Sequence, residues 1–224
     1  MQLASATLPV SKTSGLIIVT SELMALTAPA SVTALRREMI RGIAQYLDAQ
    51  LTDPAVAAVT NVSPASITNA APSIGSSGAG AANALTDVKK LVETFTATNP
   101  DAESMVLLMS PRMAVALAVA SNSTTLGVNG GTLYGIPTLT GFVGNRVIAL
   151  DPSALLIGDD GGLDVTVARH ASVEFETAPT SPPTAGTVLV NLWASGLIGL
   201  KVDRMISYRM ARADAVLFTN VAWS

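Results

Sequence analysis

Cysteine is absent from this chain of 224 residues, and histidine occurs only once. Without cysteine the chain can form no disulfide, no thiolate nucleophile and no cysteine-based metal site, which fits a reducing compartment. A single histidine also excludes a metal site built from several histidines. These absences count against an enzyme.

Charge is scarce as well, because Asp, Glu, Lys and Arg make up only 13% of the residues, about half the usual share. Hydrophobic residues reach 49%, although only 4% of residues are aromatic. A surface with so little charge is either buried against partners or covered by small neutral residues. The 13 basic and 16 acidic residues argue against a dedicated nucleic-acid-binding protein.

Long apolar runs are missing too. The longest uncharged stretches, residues 54–86 and 113–145, are interrupted by Pro, Gly, Asn and Ser, so no membrane span is predicted. The N-terminus has no basic region followed by an apolar block, so no signal peptide is predicted either.

Apolar residues spaced three and four apart predict a long helix over residues 31–52, which we regard as the spine of the molecule. Ser31 is its predicted N-cap, and Asp53 with Pro54 marks its end. The apolar stripe of this helix consists of Val32, Leu35, Met39, Ile43, Tyr46, Leu47 and Leu51.

Two further helices are predicted in the middle of the chain. A second stripe over residues 85–95 ends at Asn99 and Pro100, and Ser110 with Pro111 opens a third helix that runs to about Ala120. Between them, residues 105–109 form a continuous apolar run, which predicts a strand covered on both faces. Residues 54–82 are predicted to be a long loop.

Strands dominate the remainder. Strands are predicted over residues 16–19, 133–139, 146–150 and 215–221, and residues 163–176 alternate apolar and polar as a strand or hairpin does. Residues 188–210 are also strand-like, and residues 177–186 form a Pro/Thr loop. Helices and strands mix without regular βαβ alternation, so the fold class is α+β.

Four features were weighed as functional sites. The Gly-rich stretch 75–80 precedes a helix but matches neither phosphate-binding spacing, so it is interpreted as a flexible loop. Asp159, Asp160 and Asp164 lack the spacing of a calcium loop and are interpreted as solvated turn residues. Trp193 and Trp223 are predicted to be core or interface anchors rather than cofactor contacts.

His170 is the fourth feature, since a lone histidine can act as a general base. The alternating pattern places it on the polar face with Ser172 and Glu174, and no G-x-S-x-G nucleophile elbow is present. We interpret it as a solvated or interface residue. The sequence therefore predicts no catalytic, cofactor-binding or metal-binding residue.

Five short motifs follow one another along the chain: LIIVTSEL at 16–23, MVLLMSPRMAVAL at 105–117, GGTLYGIPTL at 130–139, VIALDPSALLIGD at 147–159 and VLVNLWASGLIGLKVDRMISYRMARADAVLFT at 188–219. Their order resembles the tailed-phage major capsid protein family, which has the Hong Kong 97-type shell fold. Each motif is short and apolar, so the specificity lies in their order, which covers nearly the whole chain.

The resemblance implies two domains. Residues 1–58 and 151–212, including the spine helix, would form the peripheral domain with its long strands. Residues 59–150 and 213–224 would form the axial domain, whose loops meet around five-fold and six-fold axes in the family.

The resemblance also implies a function. The chain would be a structural subunit of a phage or prophage capsid, self-assembling into pentamers and hexamers that enclose DNA, with only indirect contact to that DNA. Portal, scaffolding or protease proteins would be further partners, and no membrane is involved. The protein would be located in the virion capsid, and in the host cytoplasm during assembly.

Two alternatives stay open at this stage. An encapsulin-like compartment shell shares the fold but packages protein cargo, and an enzyme with an unrecognised site belongs to a different class.

The family's N-terminal arm and extended loop have no counterpart here, since only about fifteen residues precede the first motif. The short N-terminus is consistent with a truncated chain, a processed product or a prophage remnant. We expect a folded body that forms rings or small oligomers rather than closed shells. The Lys–Asn cross-link of some relatives matches no motif in this sequence.

Overall fold

The structure is a computed structural model that describes residues 8, 11–26, 29–60, 62–100, 104–175 and 182–223. The helices of these residues are α1 (Ser21–Leu26), α2 (Pro29–Thr52), α3 (Ala81–Thr98) and α4 (Pro111–Ser121). The first seven strands are β1 (Lys12–Thr20), β2 (Ser73–Ile74), β3 (Val106–Met109), β4 (Leu126–Gly127), β5 (Gly130–Leu133), β6 (Ile136–Thr140) and β7 (Arg146–Leu150). The others are β8 (Leu155–Asp159), β9 (Asp164–Ala168), β10 (Ser172–Glu174), β11 (Leu189–Asn191), β12 (Leu197–Met210) and β13 (Val216–Asn220).

The chain divides into two compact units. The large unit comprises Met1–Ser11, Gln45–Asp159 and Ile206–Ser224, and the small unit comprises Lys12–Ala44 and Asp160–Met205. These boundaries differ from the predicted ones near residues 58, 150 and 212. The assignment of a peripheral and an axial domain stays a prediction.

The large unit is built on a seven-stranded sheet in the order β2-β13-β7-β3-β6-β5-β4. Successive residues of a strand point to opposite faces, and the core follows this alternation. On one face, Leu107 and Ala149 are paired across β3 and β7 and pack with buried residues of α3 and α4. On the other face, Ile148 and Phe218 belong to a second buried cluster. The prediction that β3 is covered on both faces is thus confirmed.

The small unit is built on β12. Its first nine residues pair with β1 on one side, and five of these, Gly199 to Asp203, pair with β9 on the other, both antiparallel. Helix α2 packs over β1, where a Cβ added at Gly15 would lie only 3.2 Å from the Ile43 side chain. Glycine at this position therefore lets the helix approach the strand closely. Strands β10 and β11 form a separate two-stranded ribbon.

The predicted helices are confirmed, with one correction at a helix start. Helix α2 begins at Pro29, so Ser31 lies inside the helix and is not its N-cap. Proline is well suited to a first helical turn because its φ is already helical and its missing N–H is not needed there. Helix α4 begins at Pro111 with Ser110 as N-cap, as predicted. Tyr46 is exposed and does not belong to the buried stripe of α2.

Three predicted strands are wrong in extent. The strand predicted over residues 133–139 is two strands, because Tyr134 and Gly135 form a tight turn between β5 and β6. The segment 163–176 is interrupted by a bend at Arg169 and His170. A turn over residues 192–196 likewise divides the strand predicted over 188–210, and it places Trp193 in a turn.

Candidate interaction surfaces and buried polar sites

The Gly-rich stretch 75–80 is wrapped around a buried carboxylate of the same chain. The Ser77 backbone N–H donates to Oδ1 of Asp87 over 2.6 Å, and the Ser76 hydroxyl donates to Oδ2 over 2.7 Å. The Trp223 indole Nε1–H also donates to Oδ2, over 2.8 Å. Asp87 lies on α3, so one side chain joins the loop, the helix and the last residues of the large unit.

Hydrogen bonding outweighs burial in setting the charge of Asp87. Burial disfavours the ionised form, but donors from Ser76, Trp223 and Ser77 hold the pKa of Asp87 below its usual value. The Ser77 N–H that an external phosphate would use is therefore occupied by an internal anion. The loop is therefore an internal anchoring site of the large unit.

The other predicted site residues are not brought together. His170 is exposed, and Asp160 accepts a hydrogen bond from the Gly162 N–H within its own turn. Among the residues described, no group of three or more His, Asp or Glu is placed to hold a metal ion.

A charged cluster that the sequence did not predict lies on one face of the small-unit sheet. The Asp203 carboxylate is 3.0 Å from Nζ of Lys12 and 3.0 Å from Nζ of Lys201, and it accepts a hydrogen bond from the Ser14 hydroxyl. The Ser14 bond and the two lysines outweigh partial burial and lower the pKa of Asp203 to about 2. Asp203 and Ser14 are opposite each other in the β1–β12 ladder, so the strand register creates this cluster.

The C-terminal end of α2 is fixed by the first residue of β7 and by the loop that precedes it. Arg146 donates to the Thr52 carbonyl over 3.2 Å and pairs with Asp53 at 3.1 Å, which satisfies a free carbonyl at the helix end. The Phe142 N–H donates to Asp48 over 3.0 Å. The loop is therefore anchored by its backbone while its Phe142 ring stays exposed.

Both units expose many large apolar side chains. In the small unit these are Leu16, Leu23, Ile40, Leu163, Val165, Val167, Phe175, Val188, Leu189, Trp193 and Met205. In the large unit they are Tyr46, Val59, Val62, Val115, Val119, Val128, Tyr134, Leu139, Phe142, Leu156 and Ile157. Single exposed apolar residues are normal, but so many on a chain poor in charge indicate surfaces that meet partners.

The β5–β6 hairpin presents the most exposed of these described side chains. Tyr134 at its apex is 79% exposed and has a φ of 50°, followed by Gly135 with a φ of 86°. Two positive φ angles in succession are typical of a type I′ turn, which usually has the sequence Asn-Gly. A tyrosine in this left-handed backbone conformation costs about 1–2 kcal/mol relative to a right-handed one. The flanking Leu133 is buried and Ile136 packs against the same core cluster, so the turn cannot relax.

Comparison with known proteins gives one relative by sequence and many by structure. The chain is 34% identical over 225 residues to a capsid polyprotein of Pseudomonas phage PAJU2, which covers 95% of this chain and 34% of that relative. A solved structure from Mycobacterium phage Adephagia matches 97% of this chain and 73% of its own, with a TM-score of 0.66 at 17% identity. The chain has the fold of phage capsid proteins.

Two other capsid structures have this fold. The capsid of a native GTA particle, computed with C5 symmetry, matches 99% of this chain and 75% of its own, with a TM-score of 0.63 at 13% identity. The satellite phage P4 procapsid that includes the size determination protein matches the whole chain and 74% of its own, with a TM-score of 0.58 at 9% identity.

The resemblance to the tailed-phage capsid family and its Hong Kong 97-type fold is thereby confirmed. No family model matches the chain. The chain spans about a third of the length of the curated relative. Among the helices that the structure describes, none is both long and apolar enough to cross a membrane.

Proposed function

We propose that this chain is a structural subunit of the capsid shell of a phage or prophage, and that it assembles into pentamers and hexamers that enclose DNA. The observation that carries the proposal is the capsid fold, which extends over nearly the whole chain. The sequence similarity to a capsid polyprotein supports the same assignment independently. The apolar side chains exposed on both units supply surfaces for such an assembly.

The proposed role is structural and not catalytic. The buried carboxylates Asp87 and Asp151 are hydrogen-bonded within the chain, to Ser76, Ser77 and Trp223 in the first case and to Ser153 and Arg212 in the second. These groups stabilise the large unit and leave neither carboxylate free to act on a substrate. A compartment shell that packages protein cargo is not favoured, because the named relatives are phage and GTA capsids.

The partners follow from this role. Other copies of the chain are the principal ones, and contact with DNA is indirect, in keeping with a net charge of −3. Portal, scaffolding or protease proteins of the same phage are proposed as further partners. The proposed locations are the virion capsid and, during assembly, the host cytoplasm.

The test is the oligomeric state of the chain. Light scattering and negative-stain microscopy over a range of concentrations should give rings or small oligomers with five-fold or six-fold symmetry. If closed particles form in cells, they should protect DNA from nuclease, whereas protein cargo without DNA would favour the compartment. A chain that stays monomeric at high concentration contradicts the proposal.

A further inference from the structure

We propose that Tyr134, at the apex of the β5–β6 hairpin, is an anchor residue that packs against a second copy of this chain. The proposal rests on the proposed function, because it takes the partner to be another shell subunit. It starts from a conflict within the turn: the backbone conformation favours asparagine or glycine, yet the residue is a large aromatic.

Among the described residues other than glycine, Ala70, Asn122 and Tyr134 have a positive φ, and Tyr134 is the one with a large side chain. Asn122 has a φ of 49° at the end of α4, and asparagine is a residue that tolerates that conformation well. Gly135, with its φ of 86°, is likewise the expected residue for the second position of the turn. Tyr134 alone in this hairpin is held in a strained conformation, and the strain brings no gain within the fold because the ring is 79% exposed. Backbone strain that does not stabilise the fold is often found at functional sites, so Tyr134 is a candidate for contact with another molecule.

The hairpin holds the backbone of Tyr134 in place. Strands β5 and β6 are in register through Leu133 and Ile136, directly beside the turn, and β6 also pairs in parallel with the buried β3. Leu133 is fully buried, so the base of the turn is fixed in the core. Because this backbone is already ordered, binding through Tyr134 costs little backbone entropy, which favours affinity.

The chemistry of the anchor fits a protein surface. Tyrosine is enriched at the centres of protein interfaces, where a large ring fills a pocket and its hydroxyl can still bond to a polar group. One ring covers only part of the roughly 800 Å² that each partner buries in a standard interface. Leu139 on the same hairpin and Phe142 in the loop after it are also exposed and supply further apolar area.

A second copy is the partner that the observations favour. One structure of the same fold comes from a capsid particle that was computed with C5 symmetry, a rotational symmetry. In a rotational ring, a knob on one copy contacts a different surface of the next copy. Each copy then carries both halves of the contact, and no other protein is needed.

The test compares three variants by sedimentation velocity and light scattering. Tyr134→Asn keeps the turn but removes the ring, and it should weaken self-association by about tenfold or more while the melting temperature is unchanged or raised. Tyr134→Phe should retain association. Val119→Ala, which removes an apolar side chain of similar exposure from α4, is the matched control and should have no effect.

A cross-linking experiment tests the identity of the partner. Because the chain has no cysteine, Tyr134→Cys can carry a single photoreactive label, which should join two copies of the chain. Labelling that joins no second copy overturns the proposal, and so does a Tyr134→Asn variant that assembles like the parent.

Failure of the proposed function is a distinct outcome. A parent chain that never associates at any concentration overturns both proposals together. If the parent assembles and Tyr134→Asn assembles equally well, only the role of Tyr134 is overturned. The same holds if Val119→Ala weakens assembly as much as Tyr134→Asn does.

Discussion

The two units differ in how much of their apolar surface they cover themselves. In the described residues, both clusters of buried apolar side chains lie in the large unit, on the two faces of its sheet. In the small unit, α2 covers the sheet at β1, whereas Val165 and Val167 of β9 stay exposed although their partners Val202 and Leu200 on β12 are buried.

This difference shows where each unit obtains its stability. A sheet covered on both faces has a core that is complete within one chain. A three-stranded sheet covered by one helix buries less apolar surface. Its exposed valines contribute hydrophobic free energy only when another surface covers them. We infer that the stability of the small unit depends more strongly on assembly than that of the large unit does.

Leu91→Ala should have the largest effect, because it removes a fully buried side chain of α3 from the core of the large unit. Losing those contacts and leaving a cavity should cost about 3–4 kcal/mol of unfolding free energy. Urea denaturation provides the measurement. Leu139→Ala, at an exposed position of the same unit, is the control and should cost less than about 1 kcal/mol. Equal effects would mean that the core is not where we place it.

Asp87→Ala should cost about 2–3 kcal/mol, since it leaves the Ser76, Ser77 and Trp223 donors without their acceptor. Hydrogen exchange should accelerate in the loop over residues 75–80. Asp160→Ala, which removes an exposed carboxylate that accepts a hydrogen bond within its own turn, is the comparison and should be close to neutral. An unchanged urea midpoint for Asp87→Ala would contradict the anchoring role.

Ile43→Ala tests the thinner core of the small unit and should cost about 2 kcal/mol. The faster hydrogen exchange should be confined to β1 and the part of β12 that pairs with it, with the large unit unaffected. Ile40→Ala, one turn earlier at an exposed position of α2, should have little effect. Acceleration spread evenly over both units would show that they unfold together.

Acid should weaken the small unit through Asp203. Its pKa of about 2 in the folded chain lies below the ordinary value of 3.8, so its contribution is fully present above about pH 4 and is lost as the pH falls through 2. After allowance for partial solvent exposure, we expect roughly 1 kcal/mol. The difference in stability between the parent and Asp203→Asn should therefore be fully present at pH 5, decrease below about pH 4 and disappear once the pH is below 2. A difference independent of pH would refute the ion-pair explanation.

His170→Ala should have the smallest effect, within about 0.5 kcal/mol, because the side chain is exposed at a bend of the small unit. Thermal unfolding and assembly should match the parent. A drop in melting temperature beyond about 5 °C would show instead that the histidine makes a stabilising contact.

Local patterns predicted the helices and the buried strands well. The stripe of α3, the Ser110-Pro111 start of α4 and the apolar run of β3 each depend on neighbouring residues, so the sequence contains the information. The alternation around Val165 and Val167 also predicted a strand correctly. It could not show that the apolar face stays uncovered, because exposure depends on which other elements pack there.

The buried polar sites could not be predicted. Asp87 and Trp223 are 136 positions apart, and the bond between them depends on the fold of the whole large unit. Asp203 meets Ser14 only through the register of β1 and β12. The turn at Tyr134 did leave a signal, since a glycine after one residue between two short apolar runs is typical of a tight hairpin. The turn was not predicted, because the residue before the glycine is tyrosine and not the usual asparagine.

The positions of the two tryptophans allow intrinsic fluorescence to report on each unit separately. Trp193 lies exposed in the small unit, whereas Trp223 is buried in the large unit beside Asp87. A soluble quencher should therefore reduce the fluorescence of Trp193 and leave that of Trp223 largely unchanged until the large unit unfolds. Assembly or unfolding can then be followed separately in each unit of the unlabelled protein, with Trp193→Phe isolating the signal of the large unit.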